Sequence, residues 1–134
     1  MPRTTRYLTA GMLAILPAAL SGCILAAAGA GAGGAIYVTE RGAEAQVAAP
    51  VAATFDATRR VFQELGITET RAINESGATE KRTLEGTKDD REIAVNLRTE
   101  GSGAHVDVVV KKTAVTWDKD FAKQILNKIV EQTK

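Results

Sequence analysis

The period of polar and apolar positions changes along the chain, and each change marks an element. Across residues 43–49, Ala43, Ala45, Val47 and Ala49 alternate with Glu44 and Gln46, the period of a strand with one buried face. Pro50 interrupts that ladder and suits a helix start. Val51, Phe55, Thr58, Phe62 and Leu65 follow at offsets of four, seven, eleven and fourteen, which stacks them on one helical face. Gly66 then supplies a left-handed stop.

Beyond Gly66 the pattern returns to period two. Residues 67–75 and 78–85 read as strands joined through Ser76-Gly77, and 86–90 as a polar turn before a strand over 91–100. In that strand Ile93, Val95 and Leu97 face one way, and Glu92, Ala94, Asn96 and Arg98 the other. Gly101-Ser102-Gly103 turns the chain into a strand where Val106, Val108 and Val110 alternate with His105, Asp107, Val109 and Lys111. A closing helix over about 118–132 aligns Phe121, Ile125 and Ile129 with Leu126 and Val130 beside them. Asp118 and Asp120 favour its positive end and Lys128 its C-terminal turn. The order is β-α-β-β-β-β-α: an α+β domain over 43–134, with an antiparallel sheet of about five strands and both helices on one face.

The first 22 residues have the layout of an export signal: Arg3 and Arg6, an apolar stretch over about 7–19, then small residues. They lead into Leu20-Ser21-Gly22-Cys23, a lipobox holding the single Cys of the chain. The Cys23 thiol is the atom expected to carry diacylglycerol, and cleavage falls just before Cys23. Acyl chains contributing about 0.8 kcal/mol per buried CH₂ would then hold the protein to a membrane. Pro17 within the apolar stretch argues against an uncleaved membrane anchor. Ile24 stands where Asp would favour retention at the inner membrane, so the expected address is the outer membrane, facing the periplasm. Residues 23–42 form a Gly/Ala-rich tether. Gly29, Gly31 and Gly34 match GxGxxG, but no strand precedes them as a dinucleotide site requires. Gly29 and Gly33 also match GxxxG, leaving self-association of the tether as an alternative to a flexible spacer.

Composition narrows the chemistry further. Among 134 residues, 17 Lys+Arg stand against 16 Asp+Glu, a formal net charge of +1, and losing Arg3 and Arg6 with the signal leaves 15 against 16, so the mature chain stays nearly neutral. Nucleic acid, which selects a basic excess, is not an expected partner. One Cys and one His exclude a disulfide framework and a Cys/His zinc site. No metal or cofactor is expected. A calcium loop from Asp118 would need Gly and Glu where Lys123 and Ile129 stand. His105 shares a strand face with Asp107, but no nucleophile is evident beside them, and no catalytic site is expected. Trp117 reads as core edge or helix staple with Phe121, or as an interface anchor.

The lipobox Cys, the Gly/Ala tether running into Ala-Ile-Tyr-Val, the Phe-containing helix ending Leu-Gly-Ile and the terminal Ile-Leu-Asn-Lys-Ile together resemble the small bacterial lipoproteins of domain of unknown function family 3568. The resemblance covers most of the mature chain and implies no activity or catalytic residues. The chain departs from that pattern at Thr116-Trp117-Asp118, where a Gly-containing turn usually enters the last helix.

Two functional expectations follow. The first is a lipid-anchored interaction module whose wet sheet face (Glu92, Asn96, Arg98, His105, Asp107) contacts another envelope protein. The second is a carrier of a small apolar ligand or lipid in a cleft between helices and sheet. A domain of this length scarcely fills its own core, which favours the first. Intact mass of the membrane-bound form is expected to show a chain starting at Cys23 with acyl chains added, and Cys23→Ser is expected to leave the precursor uncleaved. A mature chain with another start and an unmodified thiol would refute lipidation.

Overall fold

The computed structural model describes residues 35–134. The signal segment, the lipobox with Cys23, and Gly29 and Gly33 lie outside the described residues. The elements run β1 (Ile36–Val38), β2 (Gly42–Val47), α1 (Val51–Leu65), β3 (Thr68–Glu75), β4 (Lys81–Lys88), β5 (Arg91–Glu100), β6 (Gly103–Lys111) and α2 (Lys119–Gln132). The six strands form one sheet in the order β1-β2-β6-β5-β4-β3, each neighbouring pair antiparallel. Both helices lie on one face, α1 against β4 and β5, α2 against β2 and β6, and the two touch each other.

The class is the expected α+β, with one strand more. β1 falls in the segment read as the end of the tether. It folds back onto β2 because Thr39 closes a tight turn: its N–H donates to the Gly42 carbonyl at 2.9 Å, and its hydroxyl accepts the Gly42 N–H at 3.1 Å. Ile36, opposite Ala45, packs at the edge of the core. Three residues are too few for a period to stand out beside a Gly/Ala run.

The core follows the alternation read from the strands. Ala43, Ala45 and Val47, then Val106, Val108 and Val110, then Ile93, Val95 and Leu97 are all buried, with Leu84 of β4. Against them α1 buries Val51, Phe55, Val61 and Phe62, and α2 buries Ile125, Leu126 and Ile129. Thr54 and Thr58 are also buried. Their hydroxyls donate to carbonyls four residues back, at 2.9 and 2.8 Å, so neither polar group is stranded.

Turns and caps position the layers. Pro50 is the N-cap of α1 and Gly66 its left-handed C-cap, with φ 67°. The ammonium of Lys88 donates to the Leu65 carbonyl there, placing a cation at the negative helix end. Asp118 caps α2 by accepting the Phe121 N–H at 3.0 Å. Its other oxygen lies 2.9 Å from Arg91 Nε. The approach is off the N–H direction, a charge contact rather than a linear hydrogen bond. The acidic pair Asp118/Asp120 thus has a structural use. Lys128 reaches across to Glu64 of α1 at 2.9 Å rather than serving its own helix end.

The expected polar turn over 86–90 shrinks to Asp89-Asp90, with φ of 47° and 61°. Two successive positive values suit a two-residue hairpin turn whose twist matches the strands, and Asp tolerates that conformation. Gly86 is a strand residue: a Cβ there would lie 2.8 Å from Phe62 Cε2 and 2.7 Å from Ile67 Cγ2. Its missing side chain is the space the Phe62 ring uses.

Phe62→Ala is therefore expected to lower unfolding free energy by about 3–5 kcal/mol. Glu64→Ala, which removes an exposed carboxylate from Lys128 and Gln132, should cost no more than about 1 kcal/mol. Equal shifts in the urea midpoint for the two would show that the buried face of α1 is misassigned.

Candidate functional site

Among the described residues, the helices cover one face of the sheet and leave the other open. Residues directly opposite in antiparallel strands share a face, so the registers lay out this open face in rows. One row runs Tyr37, Glu44, Asp107, Asn96, Thr83 and Ile73 from β1 to β3. The next runs Gln46, His105, Arg98, Lys81 and Glu75. Asn96, Arg98, His105 and Asp107 therefore meet at the middle of the sheet as two adjacent cross-strand pairs. Glu92 does not join them. It lies opposite Lys111, at 3.8 Å, nearer the other end of the strands.

His105 is the centre of the cluster. Its side chain is 16% exposed and lies between two carboxylates, Nε2 at 3.4 Å from Glu44 and Nδ1 at 3.1 Å from Glu100. Arg98 approaches the same Glu100 at 3.9 Å. The imidazole thus faces glutamates from β2 and from the end of β5, instead of forming the His105/Asp107 couple that strand spacing suggested. Burial pushes the Asp107 carboxyl above the ordinary aspartate value of 3.8. The hydrogen bond with Asn96 opposes that shift, the Glu44 carboxylate adds to it, and His105 and Arg98 counter it. A shallow depression of about 280 Å³ includes Asn96, Arg98, His105 and Asp107 with Lys81 and Glu75 in its lining. Its chemistry is mixed-sign charge and hydrogen bonding, suited to a complementary polar surface. Among the described residues no group of three or more His, Cys, Asp or Glu is arranged to hold a metal ion.

A second depression, of about 390 Å³, lies toward the other end of the open face. Trp117, Val109 and Ala94 are in its lining, with Glu92, Lys111 and Glu85. Trp117 bridges to Lys111 as a strand residue would, and the Arg41 guanidinium lies 5.7 Å from its ring centroid. It is not part of the core cluster, which Phe121 joins instead. Of the two readings of Trp117, core edge and surface anchor, the position on the open face fits the second.

The chain matches the family model described as "Protein of unknown function (DUF3568)" over residues 6–132. It belongs to that family. The DUF3568 match runs through both the segment ending in Cys23 and the α+β domain. No curated protein and no solved structure matches the chain. Among the described residues, no helix is long and apolar enough to cross a membrane.

Glu44, Glu100, Arg41 and Trp117 are the residues of this face that strand pattern alone did not assemble. Glu44 was legible as the polar phase of β2, but its place beside Asp107 depends on β2 pairing with β6, a neighbour 56 residues or more away along the chain. The raised Asp107 value carries a pH dependence with a definite sign. An acid whose folded pKa exceeds its unfolded one adds stability that is fully present below the unfolded value and is lost as pH rises through the folded one. Asp107→Asn, which cannot ionise, is expected to melt higher than the parent at neutral pH, with the gap shrinking as pH falls to 3.8. An equal gap at both pH values would show that Asp107 is not held in a desolvated site.

Proposed function

We propose that this protein is a non-catalytic, lipid-anchored module of the cell envelope, held by acyl chains on Cys23 and docking another envelope protein on the open sheet face. The observation that carries the reading is the helix-free face itself. It gathers Asn96, Arg98, His105 and Asp107 into one mixed-charge patch, with Tyr37 exposed and Trp117 half-buried outside the core cluster. An Arg and an aromatic ring beside satisfied polar groups are the composition of protein contact surfaces. The lipobox Leu20-Ser21-Gly22-Cys23 supports the membrane address, and Ile24 supports the outer membrane with the domain in the periplasm.

A carrier would need an apolar cavity of a few hundred cubic ångströms between its layers. That space is taken by side chains, Phe62, Leu84, Ile125 and Leu126 among them, with 0–1% exposure, which favours docking over transport.

Crosslinking in intact envelopes, followed by capture of the full chain, tests the proposal. Arg98→Glu with Asp107→Lys reverses the patch and is expected to abolish the crosslinked species and to fail in complementing a deletion strain, with an unchanged circular dichroism spectrum. His105→Ala alone should weaken capture at most modestly. A charge-reversed variant that complements fully, beside a His105→Ala variant that loses all function, would point to chemistry at the imidazole instead.

A further inference from the structure

β3 is the longer of the two sheet edges, eight residues against the three of β1, and among the described residues no strand pairs with its outer side. All its residues but Ile73 are exposed. An edge of this kind presents backbone N–H and C=O groups ready to pair with another strand. The pairing with β4 is irregular between Glu69 and Arg71 and regular from Arg71 to Glu75. The regular stretch is Arg71-Ala72-Ile73-Asn74-Glu75, centred on Ile73. Arg71, Ile73 and Glu75 lie opposite Glu85, Thr83 and Lys81, so all three belong to the open face.

We propose that β3 pairs with β3 of a second copy of this chain, antiparallel about a two-fold axis at Ile73, to make one continuous sheet. The charge pattern names the partner. Reversing the direction of Arg-x-Ile-x-Glu sets Arg71 against the partner's Glu75 and Glu75 against the partner's Arg71, with Ile73 against the partner's Ile73. The order along each such row is Glu85, Arg71, the partner's Glu75 and the partner's Lys81, alternating in sign at every step. Directly opposed opposite charges and apolar pairs are what stabilise an antiparallel ladder. Sliding the register by two residues in either direction sets Ile73 against a charge, Arg71 one way and Glu75 the other. Pairing Glu69 with Arg71 instead would place the contact on the irregular stretch and compete with the existing 2.9 Å ion pair from Arg59 to Glu69. β1 offers no such pattern in Ile-Tyr-Val. The pairing is isologous and closes on itself, and it leaves the open face of both copies facing the same side, so it stands whether or not that face docks a partner.

Thiol crosslinking of the full chain in its own membranes tests the pairing and its register, with the natural chain, whose single Cys is Cys23, as background. Ile73→Cys with a short bismaleimide should give a species of twice the chain mass. Arg71→Cys alone should not, because opposed Arg71 positions are offset by four residues in this register. Co-expressed Arg71→Cys and Glu75→Cys chains should crosslink to each other. Adding Arg71→Glu to Ile73→Cys is expected to cut the product about tenfold by facing like charges, and Glu75→Arg on top of it should restore the product by re-forming the pairs in reverse. No crosslink at Ile73, a product of another mass, crosslinking of Arg71→Cys to itself, or indifference to the charge reversal would each overturn the proposal.

Discussion

β6 runs between β2 and β5, pairing with β5 along its whole length and with β2 from Ala104 to Val109. The position of this one strand governs the rest of the molecule. Successive side chains of a strand point to opposite faces, so Val106, Val108 and Val110 enter the core while His105, Asp107 and Lys111 cannot. Both helices pack over the valine side. Burial of that apolar face supplies the driving force that holds the layers together. The same burial obliges the other face to carry the polar residues that alternate with that apolar set, His105, Asp107 and Lys111 on β6 and Glu92, Asn96 and Arg98 on β5. A face with such dense charge could not be covered by a helix without stranding ionised groups, and so it stays open.

The mixed-charge patch is a consequence of that division. Arg98 and His105 are neighbours because β5 and β6 form a hairpin, and Glu44 joins them because β2 closes on the other side of β6. The mixed signs keep the cluster compatible with partial burial: His105 at 16% exposure has carboxylates on both sides. Asp107, beside Glu44 and drawn out of water, bears the cost as a raised pKa.

Caps and tight turns decide how the layers meet. Gly86 lets α1 approach β4 through Phe62, Gly66 and Lys88 close the helix above it, and Asp118 joins the start of α2 to Arg91 at the start of β5. Each is a local feature with a long-range partner. At the far edge the packing thins: β3 is exposed on nearly every residue, and among the described residues no strand pairs with its outer side.

The sequence by itself determined which face of the central strands and which stripe of each helix is buried, because alternation and helical stacking are properties of short windows. Val95 and Val108, Phe55 and Ile125 were assignable to the core without knowing what they touch, and so was the wet face holding Asn96, Arg98, His105 and Asp107. The Leu20-to-Cys23 motif and the likeness to DUF3568 were equally local. Strand ends were less legible. Gly86 reads as a turn residue until Phe62 is placed above it, and β1 is too short to show a period. Which polar residues meet was decided only by the tertiary structure. Glu44 against Asp107, Glu100 against His105 and Trp117 beside Lys111 each depend on strand order and register. Those are set by the summed packing of both layers and by chain connectivity, and no local pattern encodes them.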